Sequence, residues 1–311
     1  MTESGKIAWI FPGQGSQSVG MGKDLYETFE SAKTIFNEAD KSLGMAISEM
    51  CFEGPEEELQ LTKNTQPALL TVSYACLKAI EEINDGSFPA PDYLAGHSLG
   101  EYTALAAADV LDFQTVVYLA RERGRLMHEA GQQTPGAMAA VMGLDEVVLT
   151  AICQETSTVI ANYNTPGQLV VSGMKDNVLR ASEKAQAAGA SRVVPLNVSG
   201  AFHSPLMKPA QESLTEIIAK LDFRTPEIPV VANTTALPLT SGDQVKTELI
   251  DQLCNGVQWQ RSVEYMINDG VTTFVEIGPG RVLNGLVKRI NKEVTLQNIG
   301  SAEMINGLFK R

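Results

Sequence analysis

Tyr93-Leu94-Ala95-Gly96-His97-Ser98-Leu99-Gly100-Glu101-Tyr102-Thr103-Ala104-Leu105-Ala106-Ala107-Ala108 is the stretch on which the fold turns. A short apolar run that reads as a strand meets Gly-x-Ser-x-Gly, and an alanine-rich helix follows. Strand, Gly-x-Ser-x-Gly and helix together make the context of a nucleophile elbow, in which a sharp turn exposes the serine hydroxyl at the strand's end. The amide of Leu99, at the helix start, is then placed to meet a developing oxyanion. The alternative is a Gly-rich strand-to-helix turn with an incidental serine, but the context is present on both sides. A serine ester formed there must be resolved by water or by a second nucleophile, so hydrolase and transferase both stand open.

Composition narrows the choice. The 311 residues suit one large domain, alone or carrying a smaller one, and 44% apolar content is enough for a full core. With 24 basic against 37 acidic residues the net charge is −13, and no dense Lys/Arg run occurs, so nucleic acid is not an expected partner. Cys51, Cys76, Cys153 and Cys254 show no C-x-x-C spacing, which points to a reducing compartment and no zinc site. The polar opening Met1–Lys6 and the short run Ile7–Phe11 do not make a signal peptide. Nothing approaches the roughly 20 apolar residues of a membrane span. A cytoplasmic protein with no membrane partner is expected.

Around the elbow, strands and helices alternate. A first strand, Lys6–Phe11, ends in the loop Pro12-Gly13-Gln14-Gly15-Ser16-Gln17. Helical patterns dominate to Ile83, the clearest running from Ala68 to Ile83, and a long helix covers Phe113–Glu129. Residues 134–198 have their own rhythm: strand Gly136–Met142, helix Asp145–Glu155, strand Thr158–Tyr163, strand Gln168–Ser172, helix Lys175–Ala188 and strand Arg192–Leu196. That βαββαβ order is ferredoxin-like. Helix Pro205–Leu221, a short strand at Val230–Ala232, two helices within Val245–Ile267, strand Thr273–Ile277, a helix to Ile290 and a strand near Thr295 complete the chain. The expected fold is α/β: a hydrolase-like, mainly parallel sheet flanked by helices, formed by 1–133 and 199–311, with an inserted ferredoxin-like subdomain at 134–198.

A serine needs a base, usually histidine, and the chain has three. His97, if the strand continues, points to the opposite face from Ser98. His128 near the end of the long helix needs no role beyond the helix dipole. His203, where the chain re-enters the main sheet, is the candidate base, with a plain helix-entry histidine as the alternative. In α/β hydrolases an acid lies between serine and histidine in chain order. None stands out here, so either the acid is not marked in the sequence or a carbonyl oxygen orients His203.

Phe11-Pro12-Gly13-Gln14-Gly15-Ser16-Gln17, Gly96-His97-Ser98-Leu99-Gly100-Glu101-Tyr102, Glu122-Arg123-Gly124, Ala201-Phe202-His203-Ser204 and Glu276-Ile277-Gly278-Pro279-Gly280 occur in this order. Together they resemble the malonyl-CoA:acyl-carrier-protein transacylases and the acyltransferase domains of fatty-acid and polyketide synthases, over almost the whole chain. The resemblance implies a ping-pong reaction. Ser98, activated by His203, takes malonyl from malonyl-CoA as a serine ester, and the phosphopantetheine thiol of acyl carrier protein removes it. It further implies an oxyanion hole from the amides of Gln14 and Leu99, a carbonyl at Gln252 holding the imidazole, and contacts from Gln66 and Asn162. Read locally, Gln66 could instead cap the helix after it, and Asn164 could serve the turn at Pro166. The Phe202 form leans toward malonyl over branched acyl groups, although Ser199-Gly200 replaces the longer signature that synthase domains often carry. No metal or redox cofactor is implied.

The resemblance pairs Arg123 with the malonyl carboxylate, and the helix agrees on its own terms. With Val116, Ala120, Gly124 and Met127 as the apolar face, Arg123 falls about 60° from Ala120, while Arg121 and Arg125 fall about 100° and 140° away. A guanidinium turned inward needs an anion, whether a substrate carboxylate or an internal glutamate. Acyl carrier proteins are acidic and so is this chain, so docking needs a local basic patch; Lys184, Arg192, Lys208, Lys288, Arg289 and Lys292 are candidates. A discrete polyketide acyltransferase shares every one of these features. A serine thioesterase or esterase fits the elbow but not the inward arginine, and a non-catalytic acyl-binding subunit fits neither Ser98 nor His203. A monomer is expected.

Overall fold

The computed structural model describes residues 5–309; the first four positions of the polar opening lie outside the described residues. Among the described residues ten strands form two sheets: β1 Lys6–Phe11, β2 Tyr93–Gly96, β3 Gly136–Met142, β4 Val159–Thr165, β5 Gln168–Met174, β6 Arg192–Pro195, β7 Val230–Val231, β8 Pro238–Leu239, β9 Val271–Ile277 and β10 Thr295–Ile299. The first sheet runs β10-β9-β1-β2-β7-β8. Its pairs are parallel except β7 with β8. β2 and β9 are buried along most of their length and β1 toward its carboxyl end, as strands covered by helices on both faces must be. The second sheet, β4-β5-β3-β6, is antiparallel throughout and carries helices Glu146–Thr156 and Lys175–Ala187. Strand for strand this is the ferredoxin-like order.

Local chemistry explains the element boundaries. Asp112 caps helix Phe113–Gln133 through the amide of Thr115, and Asp145 caps the first helix of the second sheet through Val147. The helix expected from Ala68 begins earlier, at Thr62, with Pro67 inside it. Proline cannot donate to the carbonyl of Lys63 four residues back. Arg121 fills that place: its Nη1 donates to the Lys63 oxygen at 2.6 Å, so the helix continues through the proline. Gln66 is therefore inside a helix and caps nothing. Helix Ala302–Leu308 and the two-residue β8 are additions the sequence pattern does not mark.

Register places the site. Phe11 pairs with Gly96, so the loop after β1 and the elbow after β2 leave the sheet side by side at the carboxyl ends of parallel strands. Close approach makes this possible: a Cβ on Gly13 would sit 2.2 Å from the His97 oxygen, and one on Gly100 would sit 2.0 Å from the Phe11 oxygen. Among the described residues no helix is long and apolar enough to cross a membrane. The four cysteines are free, three of them buried, and burial pushes every thiol pKa up, that of Cys76 to about 12.

Candidate active site

Ser98 has φ 52° and ψ −105°, a conformation costly for any residue with a side chain. β2 stops at Gly96, so the strand rule that separates His97 from Ser98 does not apply. Both side chains line one cavity of ≈ 100 Å³. The His97 Nε2 lies 2.9 Å from the Oδ1 of Asn164, which therefore faces this histidine and not the turn at Pro166.

The reactive chain runs through Ser98, His203 and Gln252. Ser98 Oγ lies 2.8 Å from His203 Nε2, and His203 Nδ1 donates to the backbone oxygen of Gln252 at 2.8 Å. Gln252 follows helix Gly242–Asp251, where carbonyls have no intrahelical donor left. Its oxygen, at the negative end of that helix, does part of what a carboxylate does for an imidazolium. His203 also adopts positive φ, 54°. Burial and the nearby Arg123 charge push its pKa down to about 3, so the ring is neutral at pH 7 and ready to take the serine proton. His128, bonded to Gln132, does not line this cavity.

Arg123 is buried, as its helical phase requires. Its Nη1 donates to Gln66 Oε1 at 2.7 Å, and its Nη2 to Gln252 Oε1 at 2.7 Å and to Ser98 Oγ at 3.1 Å. The guanidinium also stands over the Tyr102 ring, 5.3 Å from its centroid. Every bonded partner is neutral, and Nε has none among the described residues. Among the described residues it forms no direct ion pair with a glutamate. Its neighbours behave differently: Arg121 turns to Lys63 and Asn64, and Arg125 pairs with Glu122 and Glu129.

Gln14, Gln66, Leu99 and Asn162 line the same cavity. Among the described residues the amides of Gln14 and Leu99 have no acceptor, and Asn162 Oδ1 is buried without a partner. Two open N–H groups beside an activated hydroxyl can receive an oxyanion. A second cavity of ≈ 240 Å³ shares Gln14, His97, Asn162 and Leu196 with the first and continues outward between β5 and helix Val282–Ile290. Among the described residues no group of three or more His, Cys, Asp or Glu is placed to hold a metal ion.

The acyl transferase domain family matches residues 8–311. The malonyl CoA-acyl carrier protein transacylase of Bacillus subtilis is 47% identical over 305 residues, covering 96% of this chain and 95% of that protein. The chain belongs to the malonyl-CoA:acyl-carrier-protein transacylase family. The acyl-carrier-protein-S-malonyltransferase of Bartonella henselae superposes with TM-score 0.93 at 39% identity, over 97% of this chain and 98% of that one. A malonyl-transacylase solved in complex with a type II polyketide-synthase acyl-carrier protein also gives 0.93, at 40% identity and the same coverage.

Within this transacylase the sequence reading missed three contributors. Asn233 accepts from the Ser98 amide at 2.7 Å through Oδ1 and donates to the Gly96 oxygen at 2.7 Å, clamping both sides of the elbow. Glu101 is fully buried and receives N–H groups on both oxygens, from the Asn233 amide at 3.1 Å and from Gln252 Nε2. Burial and the neighbouring Glu248 raise its pKa above the ordinary carboxylate range, opposed by those donors and by Arg123. Asn164 is the third. The acidic motif Gly100-Glu101-Tyr102 was the available signal for Glu101. Of the basic candidates, Lys184 pairs with Glu155, Lys208 bonds Gln211 and Lys288 bonds the Lys292 oxygen. Arg289 bonds Gln168 at 2.6 Å, on the lining of the outer cavity.

Proposed function

We propose that the chain transfers malonyl from malonyl-CoA to the phosphopantetheine thiol of an acyl carrier protein through a malonyl-serine ester. The observation that carries this reading is the buried Arg123 guanidinium, held by neutral groups within 3.1 Å of the nucleophile. An acyl group ending in a carboxylate supplies an anion in direct contact, and the guanidinium fork meets it with two bonds.

The steps follow from the geometry. His203 Nε2 removes the Ser98 proton as Oγ attacks the thioester carbonyl, and the amides of Gln14 and Leu99 receive the oxyanion. The tetrahedral adduct expels the coenzyme A thiol, which takes the proton back from His203. The carrier thiol then enters by the outer cavity, loses its proton to His203 and attacks the ester. Ser98 leaves and is reprotonated by the same ring. Gln66 and Asn162 border the acyl group in this reading, and Arg289 stands at the mouth through which an acidic carrier approaches. The scheme asks for no metal or redox cofactor. We place the enzyme in fatty-acid synthesis in the cytoplasm, acting as a monomer. We also read residues 134–198 as an inserted subdomain. In support, the chain returns at Ser199 so near the helix it left that a Cβ on Gly131 would lie 2.4 Å from the Ser199 oxygen.

Intact mass after brief mixing with malonyl-CoA tests the proposal, alongside acetyl-CoA and the variant Ser98→Ala. A malonyl adduct that needs Ser98 and is weak or absent with acetyl-CoA supports it. Accumulating free coenzyme A with no adduct makes the protein a hydrolase.

A further inference from the structure

A buried arginine among neutral acceptors raises the question of what keeps it pointed at the nucleophile. Two of its three partners are side-chain amides, which can turn over and present NH₂ in place of oxygen. For Gln252 the choice matters twice, since its side chain receives Arg123 and its backbone oxygen holds His203. The Gln252 Nε2 donates to the Ser98 oxygen at 3.1 Å and to the Glu101 carboxylate. Both Glu101 oxygens accept N–H groups, so turning the Gln252 amide over would set its oxygen against one of these acceptors. Glu101 thus determines which end of the Gln252 amide meets the guanidinium.

The other oxygen of Glu101 receives the Asn233 amide, whose side chain clamps Gly96 and Ser98. One carboxylate therefore touches neither substrate nor nucleophile, yet is bonded to both residues that locate the serine and the arginine. Resting on the malonyl-transfer reading, we propose that Glu101 is the positioning residue for Arg123, and so a determinant of acyl-group selection, acting through the side-chain amide of Gln252.

The isosteric variant Glu101→Gln tests this. An amide at 101 has one acceptor for two donors, so either the Asn233 amide or Gln252 Nε2 must face an NH₂ group. Loss of the Asn233 bond slows every acyl group alike. Loss of the Gln252 bond lets its amide turn, which harms only transfers that need Arg123. Malonyl and acetyl transfer rates, with KM for each coenzyme A ester, should be measured on wild type, Glu101→Gln, Glu101→Ala, Gln252→Ala and the double alanine variant. The Gln252→Ala change keeps the backbone oxygen that holds His203. The expected result is a malonyl-to-acetyl rate ratio lowered by roughly tenfold or more, the scale of one charge-assisted bond, in Glu101→Ala, which leaves neither donor an acceptor. The same fall is expected in Glu101→Gln when its oxygen stays with the Asn233 amide. KM for malonyl-CoA should rise, and the double variant should lose no more selectivity than Gln252→Ala alone. An unchanged ratio in Glu101→Ala overturns the proposal, even if both rates fall, because that is the mark of a structural role. Should Glu101→Ala not fold, an unchanged ratio in Gln252→Ala overturns it equally. A Ser98-dependent malonyl adduct in wild type keeps the underlying reading separate from either result.

Discussion

Arg123 and Ser98 are in direct contact: the guanidinium Nη2 donates to the same Oγ that His203 addresses from its other side. Before substrate arrives, the guanidinium donates to the hydroxyl oxygen itself. Once a carboxylate-bearing acyl group enters, the same nitrogen has a better acceptor. Removing the side chain therefore separates acyl groups by their charge. Arg123→Ala should lower malonyl transfer by about 3 kcal/mol, roughly a hundredfold, with a much smaller loss for acetyl. Arg123→Lys should recover little, because one ammonium cannot span Gln66, Gln252 and the substrate. Steady-state kinetics with the two esters checks both; equal losses would sink the assignment.

The pH dependence follows from His203. A buried imidazole beside Arg123, with its pKa held down to about 3 against the ordinary 6.5, stays a competent base in mild acid. The kcat/KM profile for malonyl transfer should therefore run flat from pH 8 through 6.5, and a limb near 6.5 would contradict the buried neutral base. Stability shows the same shift with a definite sign. The unfolded chain takes up this proton at about 6.5 and the folded chain only near 3. The histidine's contribution is thus complete above 6.5 and is lost as pH falls toward 3, by up to about 1.4 kcal/mol per pH unit. Urea titrations at several pH values measure that slope, and comparison with His203→Ala isolates this residue's part.

Gly96 and Gly100 earn their places through space. A Cβ on Gly96 would fall 1.9 Å from the backbone carbon of Gly100, and one on Gly100 would fall 2.0 Å from the Phe11 oxygen. Gly100→Ala should cost about 2 kcal/mol or more, or prevent folding, and should displace Ser98. Gly285, inside helix Val282–Ile290, has open space where a Cβ would go. Gly285→Ala should raise stability by about 0.5–1 kcal/mol. Thermal melts of the two variants give opposite shifts if the packing argument holds.

Asn233 supplies a fourth test. Its side chain closes the elbow on both sides, and Asn233→Ala leaves the Ser98 amide and the Gly96 oxygen without it. A stability loss of about 1–3 kcal/mol should accompany slower acylation by both malonyl-CoA and acetyl-CoA. Restoration by Asn233→Asp should be partial, since a carboxylate accepts from the Ser98 amide but cannot donate to Gly96. Stopped-flow release of coenzyme A reads the acylation step directly.

Much of this arrangement was legible from local pattern. The elbow carried its own flanks, residues 136–195 ran in βαββαβ order, and helical phase alone singled out Arg123 from its two neighbours. What escaped depends on distant partners. Asn233 and Glu101 meet across 132 positions, and Glu101 reaches Gln252 across 151. No periodicity marks such pairs. The orienting group for His203 is a backbone oxygen, present in every residue, so only resemblance pointed to Gln252. Two local rules failed for identifiable reasons. Strand alternation misplaced His97 because β2 ends before it, and the helix over Pro67 survives because an arginine from another helix occupies the abandoned carbonyl.

The buried cysteines have a bearing on traffic through the site. Acyl groups here leave one thiol and arrive on another, so any thiolate of the protein's own within reach is a rival acceptor and a partner for mixed disulfides. Thiolate, not thiol, does that chemistry. Cys51, Cys76 and Cys153 are buried and Cys254 is half-buried, and all four are held in the protonated form by their surroundings. The enzyme handles its substrates' sulfur while keeping its own chemically silent.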